Sequence, residues 1–242
     1  LVSNRATESP VRHKSEESNM KGSIRTLFAT ALALCALATG VTAVTAEESD
    51  GSRTYAVTIT NITRGQILSP PVVIAHDDSY RLFVPGEAAS PELAALAEDA
   101  VSGPLLALLG TTPSVFDSNI GGGVVLPGDS MTVEVEVRGR FRQITVAGML
   151  VTTNDAFFSG TGAARSKPES LRAIAFDAGS EGNTESCEHI PGPPCGNPGE
   201  RVTESAEGYV HVHAGVHGGQ DLMPANHDWR NPVAYVTIQR AD

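Results

Sequence analysis

Two groups of side chains in this sequence could do chemistry, and both suit a cation. Four of the seven histidines fall within 17 residues, in Tyr209-Val-His211-Val-His213-Ala-Gly-Val-His217 and His227-Asp-Trp229. On an extended strand His211 and His213 point to one face, about 7 Å apart by twice the residue rise. That is close enough for their imidazoles to share one Zn²⁺ or Cu²⁺. His217, beyond Gly215, or His227 further on, could return as a third ligand. The other group is acidic, with Asn154-Asp155 after one apolar run and Asp177-Ala-Gly-Ser-Glu181 after another. Ca²⁺ takes six to eight oxygen ligands, usually carboxylates plus loop carbonyls. Asp177 and Glu181 enclose a tight turn and can bend onto one ion, with Asp155 as a third carboxylate. The plainer alternatives are histidines on a wet strand face, oriented by Asp221 and Asp228, and acidic residues that merely form turns.

The elements that must position these groups are mostly strands. Tyr55, Val57 and Ile59 alternate with Thr58 and Thr60, and Met131, Val133, Val135 and Val137 alternate with polar partners. Such alternation describes antiparallel strands with one buried and one wet face. Residues 144–151 and 171–176 are nearly continuous apolar runs and read as more buried strands, while 209–213 and 233–238 supply two more. Both acidic clusters follow apolar strands, so they meet at one end of a sandwich if those strands run the same way. One helix begins at Ser90 as N-cap with Pro91 in the first helical position, carrying the stripe Leu93, Leu96, Ala97 and Val101. A second helical turn covers 105–109. The resulting fold class is all-β, an antiparallel β-sandwich over residues 53–240 with one or two short helices.

Composition narrows the partners. The chain of 242 residues carries 28 acidic against 17 basic side chains, a formal net charge of −11, with 40% hydrophobic and 19% charged residues. That is a globular composition. A net-negative chain with no basic run is a poor nucleic-acid binder, because phosphates require a positive footprint. Met20, Lys21 and Arg25 precede an apolar run of 27–38 and then Val44-Thr45-Ala46, the pattern of a signal peptide over residues 20–46. Residues 1–19 read as an unstructured upstream extension. No later segment is apolar for long enough to span a membrane. The reading is an exported chain, periplasmic or extracellular. Cys187 and Cys195 lie in one Pro- and Gly-rich loop, and in an oxidising compartment they pair most simply as a disulfide. The alternative, a metal site with His189, departs from the close cysteine spacing of zinc motifs. Asn61-Ile-Thr63 fits a glycan acceptor.

Several of these stretches resemble the spondin-domain family. Met149-Leu-Val-Thr-Thr-Asn-Asp155-Ala-Phe-Phe-Ser-Gly160 is similar to that family's strand leading into Pro-Asp-Trp-Phe-x-Gly. Phe176-Asp-Ala-Gly-Ser-Glu181 is similar to its Tyr-Asp-Ala-Gly-Thr-Asp, and Asp228-Trp-Arg-Asn-Pro-Val233 with Ala234–Arg240 fits its last strand. The resemblance implies an extracellular C2-like sandwich binding Ca²⁺ through Asp155, Asp177 and Glu181, acting as a binding or adhesion module toward a protein or glycan. Glu181 stands where the family has Asp, and Ala156 where it has Trp. The His-x-His strand invites comparison with copper–zinc superoxide dismutases and cupins, but the further ligands those sites need are not in place. The histidine reading therefore stands as a separate alternative: a Zn²⁺ or Cu²⁺ protein, or a metalloenzyme, built on His211, His213, His217 and His227.

Overall fold

A computed structural model describes residues 51–241; the signal-like segment 20–46 and the upstream extension lie outside them. The elements in chain order are β1 (Arg53–Asn61), β2 (Val72–His76), α1 (Pro91–Asp99), α2 (Gly103–Leu109), β3 (Val115–Ile120), β4 (Ser130–Val137), β5 (Gln143–Met149), β6 (Ala156–Ala163), β7 (Glu169–Asp177), β8 (His211–Val212), α3 (Pro224–His227) and β9 (Ala234–Arg240). Every strand pair is antiparallel. The fold is all-β, as the alternation predicts, and the described residues hold three short helices, α3 beyond the one or two expected. Among the described residues no helix is long and apolar enough to cross a membrane.

The strand order is β3-β2-β5-β6-β7-β9-β1-β4, with β8 added beside β7. Strand β7 belongs to both layers. Its first half pairs with β9 (Leu171↔Val236) and its second half with β6 (Phe158↔Ala175). A strand that changes sheets in this way makes a corner. On the opposite side, side chains link β3 to β4: Asn119 Nδ2 donates to Glu134 O (2.9 Å), and Glu136 N–H donates to Asp117 Oδ2 (2.8 Å). The sheet is thereby nearly closed.

Burial explains the two kinds of strand. Val57, Ile59, Val133, Val135, Val146 and Phe158 fill the space between the layers. The wet face of β1 and β4 carries hydroxyl pairs, Thr58 with Thr132 and Thr60 with Ser130, each at 2.8 Å. Strands β2, β5 and β6 are covered on their second face as well, where Val72, Ile74, Ala147 and Phe157 meet Leu93, Leu96, Leu105 and Leu109 of α1 and α2. A strand buried on both faces needs no polar alternation, hence the continuous runs. Helix α1 starts as its sequence requires, with Ser90 Oγ accepting from Leu93 N–H at 3.2 Å. Asn61 is fully buried and donates Nδ2 to Gln66 O (2.8 Å) and Val125 O (2.9 Å), so in the folded chain it is a turn-forming core residue with no room for a glycan.

Candidate metal site

Strands β5 and β7 are both antiparallel to β6, so they run in the same direction and emit their C-terminal ends at one pole. This meets the condition under which Asp155 and Asp177 share a site. Asp177 lies opposite Ala156 in the β6–β7 ladder, and both carboxylates are fully buried. Asp155 Oδ2 accepts from the N–H groups of Ser180 (2.8 Å) and Glu181 (2.9 Å) and from the Ser180 hydroxyl (3.2 Å). Its Oδ1 is buried without a hydrogen bond. Burial, reinforced by the charge of Asp177, pushes Asp155 up to about 7 against the pull of those donors.

Glu181 turns its N–H to Asp155 and its carboxylate to Arg201, whose Nε lies 3.0 Å from Oε1. The same guanidinium pairs with Glu98 (2.6 Å) and with Asp99 at the end of α1. Burial raises Glu181 to about 8, with Arg201 opposing.

The histidine strand converges on the same aspartate. His211 Nε2 lies 3.7 Å from Asp177 Oδ1, and His213 Nε2 lies 3.7 Å from Asp177 Oδ2. Their tautomers follow from groups that can only accept or only donate. The Gly215 N–H donates to His213 Nδ1 (2.9 Å), so the proton of that ring sits on Nε2 and points to Asn183 Oδ1 (3.0 Å). This orients the Asn183 amide, whose Nδ2 donates to Asp177 Oδ2 (2.6 Å) and Glu207 Oε1 (3.3 Å). Burial holds His213 neutral, pushing it down to about 4. His211 is the reverse case. Its Nδ1 faces the carbonyl of Val212 (3.1 Å) and donates to it, and its Nε2 faces two carboxylates, Asp177 and, at 4.0 Å, Glu207. No hydrogen bond reaches that nitrogen.

Among the described residues, Asp177, Glu207 and His211 are the group whose candidate ligand atoms all lie within 4.8 Å of one another, and they could hold a metal ion. Sequence reasoning treats the carboxylates and the histidines as separate sites, whereas the fold joins them at Asp177. It does not foresee Glu207, for which the one local signal is its spacing of four from His211. His217 and His227 stand outside the group. The His217 side chain is 71% exposed, and its backbone N–H, with those of Gly218 and Gly219, is held by the Glu185 carboxylate. His227 sits on α3, its carbonyl accepting from Gln66 Nε2 at 2.7 Å.

Cys187 and Cys195 form the expected disulfide, which leaves no thiolate for a metal site with His189. Closing so short a loop stabilises the fold by about 2–3 kcal/mol at most. The His76-Asp77-Asp78-Ser79 stretch is a polar turn: His76 donates Nδ1–H to Asp77 O (2.8 Å), while the Asp77 carboxylate turns to Ser79 and Arg140. Comparison with protein-family models gives no match, and comparison with curated proteins gives none either.

Proposed function

We propose that this chain is an exported, metal-binding β-sandwich that acts as a binding module, with the ion held among Asp177, Glu207 and His211. One observation carries the reading: His211 Nε2 is buried without a hydrogen bond and faces two carboxylates, Asp177 and Glu207, at 3.7 and 4.0 Å. The Asn183 amide bridges the two carboxylates but leaves that nitrogen without a partner, which a cation held among the three side chains would supply. Two carboxylate oxygens and an imidazole suit Zn²⁺ or Cu²⁺ better than Ca²⁺, which prefers an all-oxygen shell. The ion would tie the loop carrying Glu207 to β7 and β8, setting the surface of this pole for a protein or glycan partner. Export is supported by the disulfide and by the signal-like segment.

A calcium reading has its own support. Asp155 Oδ1 is buried and unpaired beside Asp177, and the resemblance to spondin domains implies Ca²⁺ on Asp155, Asp177 and Glu181. Thermal unfolding of chelator-stripped protein separates the two. An ion at about 100 times its dissociation constant adds roughly 2.7 kcal/mol, several degrees for a domain of this size. A rise with Zn²⁺ or Cu²⁺ that His211→Ala abolishes and Asp155→Asn spares is the expected result. A rise with Ca²⁺ alone, lost in Asp155→Asn and kept in His211→Ala, transfers the site to calcium. No rise with any of the three ions sinks both readings.

A further inference from the structure

The pole opposite the metal site has the contrary charge. Of the twelve lysines and arginines after Ala46, six line a single cup of about 660 Å³: Arg53, Arg138, Arg140, Arg142, Arg165 and Lys167. They come from the start of β1, the β4–β5 turn and the β6–β7 connection, so no basic run in the sequence announces them. The β4–β5 turn places arginines at alternate positions, Arg138-Gly-Arg140-Phe-Arg142, around Gly139 with φ 54°.

Two of these arginines are built in. Arg138 lies over the Phe116 ring (4.8 Å) and Arg140 over the Phe141 ring (4.7 Å), and the two rings stack at 5.6 Å. A guanidinium held on an aromatic face loses less freedom when it meets an oxyanion, and its fork matches carboxylate, sulfate or phosphate. Arg140 also pairs with Asp77 and Arg165 with Glu169, yet both side chains stay 69% exposed. Arg53, Arg142 and Lys167 have no ion-pair partner among the described residues. Gathering like charges opposes folding, and here it occurs in a chain of net charge −11.

We propose that this cup binds an acidic polysaccharide, gripping its carboxylate, sulfate or phosphate groups. The volume falls within the roughly 300–1,000 Å³ of small-ligand sites and takes a short saccharide segment. Asp78, the one acidic side chain lining the cup among the described residues, repels a bare polyphosphate but accepts hydrogen bonds from sugar hydroxyls. The net negative charge elsewhere opposes an extended nucleic acid, whose affinity comes from many phosphates at once.

The test is fluorescence anisotropy of the full chain with a labelled heparin-derived hexasaccharide, an oligouronate of equal length and a single-stranded oligonucleotide of equal charge. Titrations are run at about 50 and 200 mM salt. At least one saccharide binds at the lower salt, and Arg142→Glu/Lys167→Glu weakens it at least tenfold and flattens the salt dependence. The control Arg64→Glu/Arg172→Glu, equal in charge change but outside the cup, changes affinity less than threefold. Melting curves confirm folding, and if the first pair fails to fold, Arg142→Gln/Lys167→Gln takes its place with a loss of at least threefold. No saccharide binding at low salt, equal losses in variant and control, or tighter binding of the oligonucleotide overturns the proposal.

Discussion

Asp177 and His211 are cross-strand partners in the β7–β8 ladder, and the imidazole Nε2 stops 3.7 Å from the carboxylate Oδ1. That gap exceeds a hydrogen bond. The neighbouring Asn183 amide supplies what this pair lacks, a donor shared between Asp177 and Glu207.

Asn183→Asp converts that donor into a third carboxylate of nearly the same shape. The metal-free protein is expected to lose about 2–4 kcal/mol, from the lost hydrogen bonds and the added repulsion. Added Zn²⁺ should restore more of the melting temperature in the variant than it adds to the parent. A metal-induced shift no larger than the parent's would place the ion elsewhere.

Arg201 neutralises a carboxylate that water does not reach. Arg201→Met leaves Glu181 unpaired and should cost about 1–3 kcal/mol at pH 8.5, discounted because the guanidinium is 30% exposed. Glu181 is already raised to about 8, so below that pH it takes a proton instead of standing as a bare charge, and the loss should shrink at pH 6. Chemical denaturation at both pH values checks this, with Arg201→Met/Glu181→Leu recovering the pH-dependent part of the loss while Glu98 and Asp99 stay without their guanidinium.

How far the sequence reaches is visible in particular residues. The alternation in β1 and β4 and the cap at Ser90 follow local rules, and the structure obeys them. Asp155 and Asp177 come together because one hairpin separates their strands, and the apolar runs before them are readable. Strands β6 and β3 are harder. Ala-Phe-Phe-Ser-Gly-Thr-Gly-Ala has no period-two pattern, because Phe158 faces the space between the layers while Phe157 faces the helices. Glu207 lies 30 positions after Asp177, on a loop whose path is set by contacts such as Gly208 N–H to Gly179 O (2.8 Å). Nothing local encodes that return. The arginine cup is similarly hidden, since the start of β1 and two separate connections build it.

Gly148→Ala tests the core packing. A Cβ there would sit 2.6 Å from Phe158 Cε1 and 3.1 Å from Ser69 Oγ, with Phe158 fully buried. Overpacking of this kind costs about 1–3 kcal/mol, a fall in melting temperature of roughly 3–10 °C. Trimming the ring should relieve it, so Gly148→Ala/Phe158→Leu is expected to lose less than the two single losses together.

His76 supplies a pH test away from the candidate metal site. It is buried, with Nδ1–H on Asp77 O and Nε2 accepting from Thr145 Oγ1 at 2.7 Å, and burial lowers its pKa from the ordinary value of 6.5. As pH falls through 6.5 the unfolded chain takes up the proton before the folded one, so stability present above that pH is lost on acidification. Urea unfolding at pH 7.5 and 5.5 should show the parent losing more stability than His76→Gln, narrowing the gap between them. Parallel losses would show that His76 carries none of the acid sensitivity.

Strand β7 begins beside the arginine cup, where Glu169 pairs with Arg165, and ends at Asp177. Its nine residues make a rod of roughly 26 Å. A polymer bound in the cup, as proposed, would leave the other tip pointing outward. Should both proposals hold, the chain would act as a spacer, with the candidate metal site displayed toward whatever lies beyond the polymer.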